Sequence, residues 1–322
     1  MRLPAALLVL VVLAVAAAPA HGANRWIQKD APLNIAHQGG EDEFPSNTLY
    51  AFRKAVRAGA DMLELDIGVT RDDRVIVMHD TTVDGKTNGT GTVESKPLRQ
   101  IKRLDAAYWF APDAEQHYSH DLPASAYRFR GVATGDRRPP HGFKAADFRV
   151  PTLRQVMRAF PHTPINIEIK GRTPEEADAE YLKNAEVLAR TLRKTRRRDL
   201  IVVSFLQPAV DRFHELLPRI DVAPGIAGVA VWLFAGGSPG PGVAAFQVPI
   251  TFGETEVTTA ENVARAHSEG YAWHNWFSGG DSDSPATWRT LIDMCVDGTM
   301  TSQPRAYERV LRSHRRPARC RP

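Results

Sequence analysis

Between Asn34 and Ile67 the chain reads strand, helix, strand, and this order decides what kind of sheet it can build. Asn34-Ile35-Ala36-His37 is the first short strand, with His37 at its C-terminal end. Ser46-Asn47-Thr48 supplies a helix cap, and Leu49, Phe52 and Val56 recur at helical spacing until Gly59 stops the helix. Asp61 to Ile67 is the second strand. Two strands joined by a helix within about thirty residues run parallel, because only a crossover returns the chain to the same end of the sheet.

The pattern then repeats. Val75-Ile76-Val77-Met78 follows too soon for a crossover helix, so it is read as a return arm ending at His79. With Asp72 and Asp73 as its turn residues, Asp66 falls opposite His79. Further strands are expected at Ile165–Lys170, Leu200–Phe205, Val222–Ile226, Ala244–Val248, Tyr271–Trp276 and Gly298–Thr301. Helices are expected at Leu98–Leu104, from Thr152 to Phe160, from the Thr173-Pro174-Glu175-Glu176 cap, and at Thr258–Glu269 and Pro285–Cys295. Setting the arm aside leaves eight strands alternating mainly with helices. The expected fold is therefore α/β, a (β/α)8 TIM barrel with a hairpin arm after the second strand and an inserted cap region. The cap is placed at about 81–150, where residues 108–149 mix Pro, Gly, His and aromatics without period, as a lid over the site does.

The ends need separate treatment. Met1-Arg2, the apolar run Leu7 to Ala18 and the small residues up to Gly22 form an expected signal peptide over 1–22, cut after Ala20 or Gly22. The run is too short to span a bilayer comfortably, so a secreted or extracytoplasmic protein is expected, with one barrel over 23–322. The net charge of +4 is modest and owes much to Arg193–Arg198 and a basic tail at about 311–322. Such runs are usually solvated faces, with an anionic membrane surface as the minority partner. No interleaving of basic and aromatic residues is present, which argues against nucleic acid. Cys295 and Cys320 either close a disulfide onto that tail or remain free thiols.

Chemistry gathers at strand ends. Glu64 and Asp66 share one face of their strand while Leu63, Leu65 and Ile67 face apolar packing. Asn166, Glu168 and Lys170 likewise share a face. In such a barrel these positions converge on the C-terminal mouth. Glu64, Asp66 and Glu168 would repel one another there unless a cation held them, and all-oxygen ligation suits one divalent Mg2+ or Ca2+. His37, beside Gly39-Gly40, and His79, beside Asp80, suit an acid–base pair, and Lys170 suits an anionic group. Together these groups point to phosphoryl transfer on a diester.

The motifs also resemble a known family. In order they are Ile35-Ala36-His37-Gln38-Gly39-Gly40, Pro45-Ser46-Asn47-Thr48, Glu64-Leu65-Asp66, His79-Asp80, Thr87-Asn88-Gly89-Thr90-Gly91, Ile167-Glu168-Ile169-Lys170 and Val203-Ser204-Phe205. A weaker C-terminal match includes Trp273 and Asp297-Gly298-Thr299-Met300-Thr301-Ser302-Gln303-Pro304. This set resembles the glycerophosphodiester phosphodiesterase family. The resemblance implies the same barrel with an inserted cap, and metal-dependent hydrolysis of glycerophosphodiesters to sn-glycerol 3-phosphate and an alcohol. It implies Glu64, Asp66 and Glu168 as metal ligands, His37 and His79 as the catalytic pair, and Gln38, Lys170 and Trp273 on the substrate side.

Three departures qualify it. Gln38 stands where the family commonly has arginine, replacing a bidentate cation with a neutral amide. Trp273-His274-Asn275-Trp276 replaces the usual Trp-Thr-Val-Asn, and Ser302 replaces an expected aspartate, so headgroup preference does not transfer. The alternatives are a phospholipase acting on a lipid or lysolipid, marked by an apolar mouth near Phe110, Trp232 and Phe234, and a phosphodiester-binding protein without turnover.

Overall fold

The computed structural model describes residues 24–320 apart from 113, 115, 173–176 and 279. The expected signal peptide and the Thr173 helix cap lie outside the described residues. Strand β1 (Leu33–Ala36), helix α1 (Leu49–Ala58) and strand β2 (Met62–Val69) form the first parallel unit, with the Thr48 side chain capping α1 by accepting from the Ala51 N–H. The return arm is β3 (Val75–Val77), antiparallel to β2. Its register is one residue off the expected one: Val69 pairs Val75 and Ile67 pairs Val77, so Asp66 does not face His79. Asp73 takes a left-handed φ of 54°, and the Thr70 N–H donates to the Arg74 carbonyl at 3.1 Å. A three-residue loop with a left-handed residue shifts the pairing by one relative to a two-residue turn.

After a short helix α2 (Leu98–Ile101) and α3 (Leu153–Ala159), strand and helix alternate through β4 (Ile165–Ile169), α4 (Ala177–Leu192), β5 (Leu200–Val203), α5 (Gln207–Leu216), β6 (Asp221–Val222), α6 (Ile226–Ala235) and β7 (Ala245–Pro249). A small hairpin, β8 (Thr251–Phe252) and β9 (Thr255–Glu256), precedes α7 (Ala260–Ser268), β10 (Ala272–Trp276), α8 (Pro285–Asp293), β11 (Gly298–Thr301) and α9 (Pro304–Ser313). The eight parallel strands run in the order β6-β5-β4-β2-β1-β11-β10-β7. The seam from β6 to β7 rests on one parallel bridge, Val222 to Val243. This is the (β/α)8 barrel with its hairpin arm. The expectations change in two ways: β6 stops at Val222, because the chain turns through Pro224-Gly225 into α6, and helices α5, α6 and α9 had not been expected.

Alternation along the strands sorts the interior. Leu63, Leu65 and Ile67 of β2 pack outward with Ile165, Ile167 and Ile169 of β4 and with Phe52 of α1. Ile35, Met62, Ile201, Ala245 and Ala272 fill the barrel axis near its N-terminal end, where Trp26 plugs the floor and donates to Asp221 at 2.7 Å. The segment 81–150 has a core of its own around Ala107, Val132 and Phe148, stacked on Tyr50 of α1 at 4.5 Å between ring centroids.

The tail is docked on that floor. Arg316 is buried and reaches the Gln28 carbonyl at 2.7 Å, Asp297 at 3.2 Å and the Cys295 carbonyl, while Arg312, Arg315 and Arg319 stay exposed. Cys295 and Cys320 are joined as a disulfide, with Cα atoms 5.1 Å apart. Cys320→Ser is expected to lower the unfolding free energy by about 2–4 kcal/mol, read from the denaturant midpoint; an unmoved midpoint would make the bridge dispensable for docking.

Candidate active site

The site begins with the pairing of β2 and β4. Their parallel register sets Asp66 beside Glu168 and Glu64 beside Asn166, all on the inner face. One oxygen from each of Glu64, Asp66 and Glu168 lies within 4.8 Å of the others. Glu64 and Asp66 are buried and Glu168 nearly so. Lys170, two residues along β4, holds its Nζ 2.7 Å from Glu168 and 3.5 Å from Asp66.

Burial and neighbouring charge set the proton affinities. Burial and then the Asp66 charge push Glu64 up to about 8. Burial acts on Asp66 in the same sense, but Lys170 and the two imidazoles outweigh it and lower its pKa. Asp66 Oδ1 is buried and accepts no hydrogen bond. Three converging carboxylates with an unused oxygen are a fitting donor set for one hard divalent cation. An incoming cation must displace the Glu64 proton at any pH below about 8. Affinity for Mg2+ or Ca2+ is therefore expected to fall as pH drops below that value, by up to about tenfold per unit, with proton release measurable by calorimetry in buffers of different ionisation enthalpy. Affinity that stays flat from pH 8 down to 6 would contradict it.

His37 stands at the end of β1, and its geometry depends on the glycines that follow. Gly39 and Gly40 have φ of 84° and 89°, and a Cβ on Gly39 would lie 2.9 Å from the Phe52 ring. The turn they permit aims His37 Nε2 toward Glu64, 3.9 Å away, while Nδ1 is held by Glu41 at 2.8 Å. Burial alone would lower the His37 pKa, but Glu41, Glu64 and Asp66 together raise it to about 10. His79 is held in the same way, its Nδ1 2.8 Å from Asp80. Each imidazole therefore places Nδ1–H on a carboxylate and leaves Nε2 for chemistry.

The expected residues separate into two groups. His37, Glu64, His79, Glu168 and Lys170 line one cavity of about 380 Å3, and Asp66 lies directly beneath them. Gln38 is buried behind that wall: its peptide N–H donates to Glu64 at 2.7 Å, and its side-chain oxygen accepts from Lys86 at 2.9 Å and Asn47 at 3.2 Å. Trp273 does not line the cavity. Strand alternation turns it outward into the layer beneath α7, where it is fully buried against Trp232 and Phe246, and Trp276 faces the cavity instead. The apolar mouth is present but built differently from expectation. Phe110 and Trp232 are core residues, whereas Phe234 is joined by Phe205, Phe252 and Phe277.

Three contributors were not anticipated. Asn47 donates to Asp66 at 2.9 Å, Glu41 orients His37, and Lys86 bridges Gln38 and Ser46, each at 2.9 Å, with Glu41 at 3.6 Å. Asn47 belonged to a motif read as a helix cap and as part of the family resemblance, with no role given to its side chain, and its left-handed φ of 57° is what turns it inward.

Residues 37–306 match the model of the glycerophosphoryl diester phosphodiesterase family. A glycerophosphodiester phosphodiesterase of Bacillus subtilis is 26% identical over 295 residues, covering 89% of this chain and 89% of that one. A lysophospholipase D of Homo sapiens is 31% identical over 147 residues, 44% of this chain and 38% of its own length. Other curated relatives are also matched over less than two thirds of their length, 63% and 45% in two cases. An Oleispira antarctica phosphodiesterase, solved with the product sn-glycerol 3-phosphate, shares the fold with a TM-score of 0.63 at 18% identity, covering 88% of this chain and 97% of that one.

Proposed function

The chain belongs to the glycerophosphoryl diester phosphodiesterase family, and from that premise we propose that it is an exported hydrolase cleaving glycerophosphodiesters to sn-glycerol 3-phosphate and an alcohol. The observation that carries the reading is the pair of carboxylate-held imidazoles, His37 and His79, lining one cavity with the three-acid cluster. The product complex of the Oleispira antarctica relative supports the same product here.

Glu64, Asp66 and Glu168 would hold one Mg2+ or Ca2+. Such an ion, when bound, draws charge from the non-bridging phosphate oxygens. Lys170 supplies a further fixed positive charge on the same side. His37, kept as an imidazolium by its neighbouring acids, gives its Nε2 proton to the departing alcohol oxygen. His79, with Asp80 fixing its tautomer, takes a proton at Nε2 from the attacking oxygen. Gln38 acts through its peptide, which holds Glu64 in place.

Export is supported by the N-terminal apolar run together with the disulfide, a bond at home in oxidising compartments. Exposed Arg312, Arg315 and Arg319 support a peripheral contact of the tail with anionic membrane. A second reading, action on a lysolipid phosphodiester, draws support from the human lysophospholipase D and the apolar mouth.

The deciding experiment is a coupled assay of glycerol 3-phosphate release from several glycerophosphodiesters, with Mg2+, Ca2+ or chelator. Release that needs the cation is expected. Ligand binding with no release from any substrate would establish a binding protein instead, and activity that survives chelation would remove the metal assignment.

A further inference from the structure

The motif Thr87-Asn88-Gly89-Thr90-Gly91 carries part of the family resemblance, yet none of its residues lines the cavity. What it does is close a turn. The Val83 carbonyl accepts from the Thr87 N–H at 3.1 Å and from the Thr87 hydroxyl at 2.7 Å, and Asp84 Oδ2 accepts from the Gly91 N–H at 2.7 Å. Asn88 Oδ1 accepts from the Asp105 N–H at 2.9 Å and ties the turn to the inserted segment. A Cβ on Gly89 would come within 2.8 Å of the Leu104 side chain, so glycine is what lets the turn pack there. Held in this way, the turn directs Lys86 inward, behind the wall of the cavity.

An ammonium has three donors, and in that place each faces a partner. Lys86 Nζ reaches Gln38 Oε1 and Ser46 Oγ, each at 2.9 Å, and Glu41 Oε2 at 3.6 Å. The Tyr118 ring covers it at 4.6 Å and the Tyr118 hydroxyl donates to Ser46 at 3.0 Å, so only 16% of the Lys86 side chain meets solvent. Burying a cation costs free energy, which a neutral amide and hydroxyl offset only in part. The carboxylates supply the rest. Glu41 divides its oxygens between two cations: Oε1 holds His37 Nδ1 at 2.8 Å and Oε2 faces Lys86. A carboxylate held at one oxygen can still swing about its last side-chain bond, whereas one held at both is fixed. Burial would raise the Glu41 pKa, but His37 and then Lys86 hold it well below the usual carboxylate range. Asp80, the carboxylate on His79, is likewise lowered against burial by His79 and then by Lys86.

Resting on the phosphodiesterase reading, we propose that Lys86 is a positioning residue: from the inserted segment it fixes the Glu41 carboxylate and, through it, the direction of His37 Nε2. It touches no reacting atom. Gln38 fits the same arrangement, because its amide oxygen accepts from Lys86, whereas an arginine side chain in that place would set a second cation against the ammonium. The segment expected as a lid over the site therefore also reaches beneath it.

The test is a double-mutant cycle on release of glycerol 3-phosphate from glycerophosphocholine, with Mg2+ or Ca2+ present. Lys86→Met is expected to lower kcat about tenfold and to leave KM within about twofold of wild type. Glu41→Gln is expected to lower kcat by a similar factor. The double variant should be no worse than the poorer single one, because without the carboxylate Lys86 has nothing to fix. A role in folding alone would instead lower the unfolding midpoint and let the two losses multiply. If Lys86→Met is unfolded, Lys86→Gln, which keeps a donor for Gln38 and Ser46 and drops the charge, replaces it in the cycle. NMR of histidine-labelled protein reads the same contact without turnover. The His37 Nδ1 proton, identified by its loss in His37→Gln, is expected to shift in the Lys86 variant. Unchanged kcat, a loss carried by KM, losses that multiply, or an unmoved Nδ1 resonance each overturn the positioning role. No release by the wild-type protein overturns the phosphodiesterase reading instead, and the Nδ1 resonance then still decides whether Lys86 fixes Glu41.

Discussion

Asp66→Ala is expected to lower kcat by about two to three orders of magnitude while the protein stays folded. Asp66 is the middle member of the acid cluster: it neighbours Glu168 across the sheet, shares a strand face with Glu64 and ion-pairs with Lys170 at 3.5 Å. Its loss removes one of the three carboxylates proposed to hold the ion and leaves Lys170 to neutralise Glu168 alone. Stability without metal should change little, because loss of the Asn47 hydrogen bond and the Lys170 ion pair is offset by removing one of three clustered buried acids. The wild-type protein should gain thermal stability as Mg2+ or Ca2+ is added, and the variant should not. Calorimetric metal binding, unfolding temperature and kcat together separate this outcome from misfolding. A variant that binds the ion as tightly as wild type would remove Asp66 from the ligand set.

The second large effect concerns the imidazoles. His37→Ala and His79→Ala should each lower kcat by about two to four orders of magnitude with little change in KM, if both act, as proposed, on protons in flight. Combining them should cost far less than the product of the two losses, because groups that act as a unit fail together. Glu41→Gln and Asp80→Asn should be milder. They leave the rings in place but loosen their tautomer, as the 2.8 Å contacts to Nδ1 indicate. Near-wild-type kcat in either alanine variant, measured under saturating substrate, would take that histidine out of the chemistry.

Much of this site was readable along single strands and little of it across them. Glu64-Leu65-Asp66 and Glu168-Ile169-Lys170 face inward because side chains alternate, and that needs no knowledge of partners. Alternation gives a period but not always a phase: it places one of Trp273 and Trp276 in the cavity without saying which, and only packing under α7 decides. The hairpin register failed for a related reason, since an aspartate rather than a glycine adopts the left-handed turn at position 73. Glu41, Asn47 and Lys86 reach the centre through turns and an insertion whose paths depend on tertiary contacts. Helix α9 was hidden by the basic residues that dominate its sequence, although Tyr307 and Val310 keep its buried face.

One contact makes Glu64 indifferent to the side chain beside it. The hydrogen bond that steadies Glu64 comes from the main chain at position 38, at 2.7 Å, and any residue tolerating that left-handed turn supplies it. A guanidinium can therefore be traded for an amide there without loosening the ligand beneath. Asp66 is held differently: Asn47 donates both to it and to the Gln38 side-chain oxygen, so Gln38→Arg should keep the Glu64 contact and disturb the hold on Asp66.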